Sequence, residues 1–304
     1  MKEQHWGIKV EKSNGEAVRK RLIALGMYDT EFKPVCEDDF IVFPVVSEKE
    51  SSGEYIFEKR PKKREPARHE LIGGIAVMQS DDPGEAEYLL ESRPVIHTVL
   101  YSKSPVSGEY RTKDFVVLAG ENTTKTHYIE YNNRFVIDLS AAYFSARLAN
   151  ERQRIYSLIE KKERILDMFA GVGPFPVVLS EKASVIYAGD INPGAVALMK
   201  ENIELNHKKN IIPMLFDALD LKGIFSAHSF DRIIMNLPMR SEEFLEVAFS
   251  LCKKGGVIHY YTLQSEKGEM LDTLGRYTKG RICEKVVRSY SPAQHHAVYD
   301  INCL

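Results

Sequence analysis

The chain has 304 residues, 44% of them hydrophobic and 28% charged, which excludes a wholly disordered protein and suggests about two domains. Forty-one basic residues against forty-three acidic ones leave a formal charge of −2, so no overall polycation advertises nucleic acid, although a local basic patch still can. No run approaches the ~18 apolar residues that span a bilayer, and the start MKEQHWGIKVEK has no apolar stretch, so a cytoplasmic protein without membrane attachment is expected.

Up to about residue 50 the pattern suggests a small α+β unit. Trp6, Ile8 and Val10 alternate like a strand, and Val18, Leu22 and Leu25 share a helical face closed by Gly26. Residues 40–45 give a second, buried strand. From 51 to 69 the composition turns polar and then basic, with Lys59, Arg60, Lys62, Lys63, Arg64 and Arg68 facing Glu65 alone. This predicts a basic linker, either a phosphate-contacting strip or a solvated connector. Residues 70–140 carry β-like runs (LIGGIAVM, PVIHTVLYS, KDFVVLAG, THYIEY, NRFVIDLS) and one helix over 84–91, a β-rich middle domain.

From Ala141 to residue 304 helical and strand patterns alternate, which predicts a largely parallel, doubly wound sheet. Two final strands without an intervening helix should pair antiparallel at its edge. A helix carries Arg147, Glu151 and Ile155. Others are expected over 241–252 and 268–277.

The motif with most chemistry is DMFAGVGPF, residues 167–175, between a strand and a helix. Its glycines let the backbone approach a ligand, and the helix beyond offers free N–H groups. Pro176 stands where a dinucleotide fingerprint needs its third glycine, so that reading weakens. Asp167 precedes the loop and Asp190 ends the next strand in GDINP, where an acid suits ribose hydroxyls. This acid–loop–acid layout is that of class I S-adenosylmethionine (AdoMet) methyltransferases. Asp217 ends the third strand, and Asn236 opens Asn-Leu-Pro after the fourth, where an amide can meet a base edge. The four cysteines, Cys36, Cys252, Cys283 and Cys303, form no CxxC pair, and the histidines show no metal-ligand spacing, so no metal is expected.

DMFAGVGPF, DINP, ENIELN and MNLP, with GEYRTKDFVVLAG, T-H-x-x-E (126–130) and YFSARLANERQRI upstream, resemble the archaeal and eukaryal tRNA (guanine-37 N1)-methyltransferases over essentially the whole chain. The resemblance implies an α/β fold: a Rossmann-like class I methyltransferase sheet with an antiparallel last strand, preceded by two small α+β or β-rich RNA-binding domains. It implies AdoMet as cofactor, S-adenosylhomocysteine as product, tRNA as partner, and a monomer. It places the general base at Glu151 and the O6-stabilising arginine at Arg111, with Asn236 as a further catalytic group. Cofactor contacts fall on Arg152, Asp167, Ala170, Gly171, Gly173, Asp190, Ile191, Asp217, Ala218 and Asn236. Substrate contacts fall on Arg111, Tyr143, Arg147 and Pro238. Read without the resemblance, Glu151 is an i,i+4 surface partner of Arg147 and Tyr143 a core residue.

Chemistry is consistent with those roles. Guanine N1 carries a proton at neutral pH and becomes nucleophilic once it is removed, which pushes charge onto O6, where an arginine can donate. Two alternatives remain: tRNA modification of the wybutosine pathway, by aminocarboxypropyl transfer or methylation of a tricyclic base at position 37, and RNA binding without turnover. The second predicts a damaged loop or a missing base, and neither defect is present.

Overall fold

The computed structural model describes residues 2–60, 65–104, 108, 110, 112–160 and 162–304. The chain divides into two compact units, Met1–Glu65 and Pro66–Leu304.

In the first unit, β1 (Lys2–Glu11), α1 (Gly15–Ala24), β2 (Val35–Glu37), β3 (Phe40–Pro44) and β4 (Gly53–Glu58) form an antiparallel sheet, order β2-β3-β1-β4, with one helix. Leu22 of α1 packs with Tyr28, Phe43 and Val45. The polar stretch expected to be linker from residue 51 contains β4, which pairs with β1 along its length. Tyr55 and Phe57 alternate with Glu54 and Glu58, and this two-residue period outweighs the polar composition. Two of the cations expected to contact phosphate are engaged here. Lys59 pairs with Glu3 at 3.4 Å, and Arg60 donates to Phe32 O and Tyr28 OH. Lys62, Lys63 and Arg64 lie outside the described residues, and Arg68 is exposed.

The second unit opens with a four-stranded sheet: β5 (His69–Ile72), β6 (Ile75–Met78), β7 (Thr98–Ser102) and β8 (Phe115–Gly120), with α2 (Pro83–Ser92) joining the parallel pair β6 and β7. Asp82 caps α2 by accepting from Gly84 N and Glu85 N, and Pro83 supplies its first residue. The hairpin β9 (Lys125–Glu130) and β10 (Asn133–Asp138) turns through Tyr131 and Asn132, both at positive φ.

Then follow α3 (Ala149–Leu158), β11 (Glu163–Asp167), α4 (Pro174–Leu179), β12 (Ala183–Asp190), α5 (Pro193–Leu205), β13 (Ile211–Leu215), α6 (Leu221–Ile224), β14 (Phe230–Met235), α7 (Leu245–Leu251), β15 (Cys252–Gln264), α8 (Leu271–Leu274), β16 (Ile282–Ser291) and β17 (Gln294–Asn302). The seven-stranded sheet runs β13-β12-β11-β14-β15-β17-β16, with β17 antiparallel to both neighbours and β16 at the edge. Adjacent strand residues feed opposite faces. Ile165, Ile234 and Tyr261 join the core under α4 and α5, while Leu166, Ile233 and Tyr260 join the one under α7. Two expected helices are shorter than the pattern suggested. Residues 241–244 form a turn of 3₁₀ helix before α7, and 268–277 reduces to α8, which begins after Gly268 at φ +82°.

The hairpin β9–β10 belongs to the core of the large sheet, although the sequence pattern grouped it with the middle strands. Phe135, Val136 and Ile137 are buried among residues of α4 and α5. Asn202 on α5 and Asn206, which caps the C-terminus of that helix, explain why. Asn202 Oδ1 accepts from Val136 N at 2.6 Å and its Nδ2 donates to Val136 O, while Asn206 makes the same pair of bonds with Arg134. Two side-chain amides thus pair alternate residues of β10 as a neighbouring strand would. Asn202 also donates to Val172 O at 2.9 Å, which fastens the glycine loop to the same helix.

Candidate active site

A cavity of about 190 Å³ opens beyond the carboxyl ends of β11, β12 and β14. Its floor is the loop 168–175. Gly171 and Gly173 sit at φ +55° and +88°, where a side chain is strained. A β-carbon on Gly173 would also lie 2.8 Å from Met199 Cγ of α5. Asp190 organises the loop, accepting from Gly171 N at 2.8 Å and from Asn192 N at 3.0 Å. Ala170, Gly171, Asp190 and Ile191 border the cavity. Asp217, which caps a 3₁₀ turn by accepting from Leu219 N at 2.9 Å, borders it with Ala218.

Asn236 stands at the tip of β14. Its Oδ1 is buried and has no hydrogen-bond partner among the described residues. An orphaned acceptor on a cavity wall is costly until a donor arrives. The segment behind it is fixed: Leu263 N donates to Pro238 O, Ser241 Oγ donates to Tyr261 O, and Arg240 pairs with Glu243. Asp167 is fully buried at the tip of β11, behind the cavity wall. Burial, aided by the charge of Asp190, pushes its carboxyl up to about 8 despite a hydrogen bond from Phe169 N. A glycine cradle, two acids bordering the cavity, a buried acid behind them and an unpartnered amide oxygen fit AdoMet, a cation with ribose hydroxyls and an exocyclic amine.

Other expected residues are distributed less simply. Tyr143 and Pro238 border the cavity, and Tyr143 also borders a second one beside it, where Arg147 is found. Arg152 borders the first cavity, but its guanidinium is buried in a paired contact with Glu130 and donates to Ser145 O. Its structural part is therefore to tie α3 to β9. Arg111 lies outside the described residues. The i,i+4 pairing of Glu151 with Arg147 is not formed. Arg147 reaches Glu70 at 3.1 Å instead, because it sits in the 3₁₀ turn before α3 rather than on the helix.

Glu151 is buried. Arg154 grips both its oxygens at 2.8 Å, and Tyr261 OH donates to Oε1 at 2.7 Å. It is absent from the residues bordering the cavity, whose nearby wall is Leu148 and Arg152. Behind it runs a polar chain. Arg154 also binds Asp300, Asp300 meets His259 Nδ1 at 2.6 Å, and His259 Nε2 meets Arg232 at 2.6 Å. A guanidinium only donates, so Nε2 accepts and Nδ1 carries the proton. Burial and Arg232 lower the histidine's pKa against the pull of Asp300, which agrees with a neutral ring. Burial works against the Asp300 carboxylate, yet His259 and Arg154 hold it well below the usual range.

Among the cavity residues to which the sequence assigned no site role are Arg288 and Tyr290 of β16 and His296 of β17. Arg288 and Tyr290 both reach the cavity from β16 across a register shift between Ser289 and Ser291, and nothing in the chain order announces that an edge hairpin folds back to the strand tips.

The family description "TRM5/TYW2 methyltransferase domain" matches residues 126–286, more than half of the chain, and "tRNA methyltransferase 5 N-terminal domain" matches residues 7–53. The chain belongs to the TRM5/TYW2 methyltransferase family. It is an AdoMet-dependent methyltransferase. The tRNA (guanine(37)-N(1))-methyltransferase Trm5b of Pyrococcus abyssi is 34% identical, over 96% of this chain and 97% of its own length. The tRNA 4-demethylwyosine(37)-methyltransferase Taw21 of Saccharolobus solfataricus is 33% identical, over 77% of this chain and 93% of its own length. A solved complex of aTrm5 with tRNALeu superposes with a TM-score of 0.81 at 29% identity, covering 98% of this chain and all of that one. Within this TRM5/TYW2 member, the fold implied by the motifs is present: the antiparallel last strand, and the glycine loop between β11 and α4.

Proposed function

We propose that the protein methylates N1 of guanosine 37 in tRNA. The observation that carries this reading is one wall. Tyr143, Asn236 and Pro238 line the same cavity as the cofactor cradle, offering an aromatic face and an unpartnered amide oxygen to a planar base. Base-modifying enzymes extrude their target and read its edge in this way. The name and near-complete coverage of the Pyrococcus abyssi relative support the choice of base and position.

AdoMet supplies an electrophilic methyl group. The chain's residues do the rest. Asp190 and Asp217 meet the ribose and adenine, and Asn236 accepts from the exocyclic amine or base edge. Glu151 takes the N1 proton. Arg154 Nη2 and Tyr261 both donate to Oε1 while Arg154 Nε alone donates to Oε2, so among the described residues Oε2 keeps a lone pair for the proton as the base passes Leu148 and Arg152. Tyr261, whose pKa burial and Glu151 raise well above normal, stays protonated throughout. Arg111 is assigned to the charge developing on O6.

The test is transfer of labelled methyl to tRNA transcripts with guanosine or another base at position 37, followed by nucleoside analysis. N1-methylguanosine appears only with G37. An aminocarboxypropyl mass or no transfer overturns the reading. The wybutosine-type alternative has thinner support, since Taw21 matches only 77% of this chain.

A further inference from the structure

Beside the first cavity lies a second, of about 200 Å³. Tyr143, Phe144 and Ser145 border both, and so do Arg288 and Tyr290 from β16. The second cavity has an apolar floor that includes Phe115 and Leu139. Lys113, Arg147 and Arg288 at its walls face one carboxylate, Glu70, and that carboxylate already holds Arg147 at 3.1 Å. The Arg288 guanidinium lies 5.8 Å over the Tyr290 ring, and its Nε is buried with no hydrogen-bond partner among the described residues.

These are complementary demands. A buried guanidinium N–H without an acceptor recovers its desolvation cost when an anionic oxygen reaches it. Aromatic edges over an apolar floor accept the π-face of any base. An apolar slot rimmed by cations therefore matches a nucleotide, apolar on its faces and anionic at its link. The position narrows it to a neighbour of the target. A base in the first cavity has its chain neighbours one phosphodiester away, and the second cavity shares a wall with the first.

We propose that the second cavity receives the base of a nucleotide adjoining the methylated guanosine, with Arg288 and Lys113 holding the phosphate that joins the two. This rests on the reading of the first cavity as the entry of the target base. It makes Tyr290 a stacking residue and Tyr143 a partition between two bases.

The experiment measures binding of a fluorescent anticodon stem-loop RNA by anisotropy, with S-adenosylhomocysteine present. The RNAs are intact, abasic at position 36, or abasic at position 38. For the wild type, one abasic site weakens binding about tenfold and the other less than about twofold. Tyr290→Ala, on an exposed edge strand, abolishes that penalty. Arg288→Ala and Lys113→Gln weaken all RNAs alike, and each lowers the slope of log affinity against log salt by about 0.7. If neither abasic site costs affinity, if the penalty survives in Tyr290→Ala, or if the salt slopes do not change, the inference fails. Methylation of the intact RNA is followed in parallel. Loss of methylation with the binding pattern preserved overturns the proposed reaction alone. Methylation without the pattern overturns only the second cavity.

Discussion

Glu151 is held by three hydrogen bonds from Arg154 and Tyr261, and these neighbours decide how it can act. Arg154 spans Glu151 and Asp300, and despite burial those two acids raise the arginine's pKa above its ordinary value. Glu151→Gln keeps the shape but leaves no proton acceptor, so single-turnover methyl transfer falls by about 10²–10⁴ while AdoMet affinity, measured by calorimetry, is retained. Full activity in that variant removes Glu151 from the base role. Asp167 gives a second expectation. Its folded pKa of about 8 means the free enzyme holds that proton at neutral pH, whereas the unfolded chain has lost it. This group alone therefore lowers fold stability as pH climbs from about 4 to 8. Binding the cationic AdoMet favours the carboxylate. Affinity should tighten from pH 6 to 8 with proton release, level off above that, and lose this slope in Asp167→Asn. Calorimetry in buffers of different ionisation enthalpy reads it.

At the level of elements, α5 does two jobs at once. Asn202→Ala strips partners from Val136 N, Val136 O and Val172 O and should cost about 3 kcal/mol in urea unfolding, far more than an exposed substitution on the same helix. A loss below about 1 kcal/mol would show that β10 is held by packing alone. The same helix shows what could be read in the chain beforehand. The alternation of helix and strand in the large unit, its antiparallel final pair, the glycine loop and the acids at 190 and 217 follow from local signals: period, strand ends, turn residues. The sequence ENIELN was legible as a motif, but its physical meaning was not, because the partner strand lies some 66 residues away. Strand β4 was masked by its charged face. Arg288, Tyr290 and His296 were hidden because cavity membership at a sheet edge depends on tertiary return of the hairpin, which no window of sequence contains.

Across the molecule, the two compact units have separate cores, with Phe43 and Phe57 in one and Ile165 and Leu166 in the other. Deleting residues 1–65 should leave a folded protein with AdoMet affinity within about twofold of the full chain, while kcat/KM for tRNA falls. An unfolded remainder would show that the second unit depends on the first. One feature of the larger unit links stability to acidity. His259 is neutral between Arg232 and Asp300, and an unfolded histidine titrates near 6.5, so its contribution is complete above that pH and is lost as the medium acidifies. His259→Gln, which can donate to one neighbour and accept from the other, should flatten the fall in Tm between pH 7 and 5. The sheet thus carries an acid-sensitive latch: a second positive charge forced against Arg232 breaks the Arg232–His259 bond and draws Asp300 toward the imidazolium and away from Arg154, so that Glu151 loses its scaffold. Turnover should fail in mild acid before the circular dichroism of the fold begins to change.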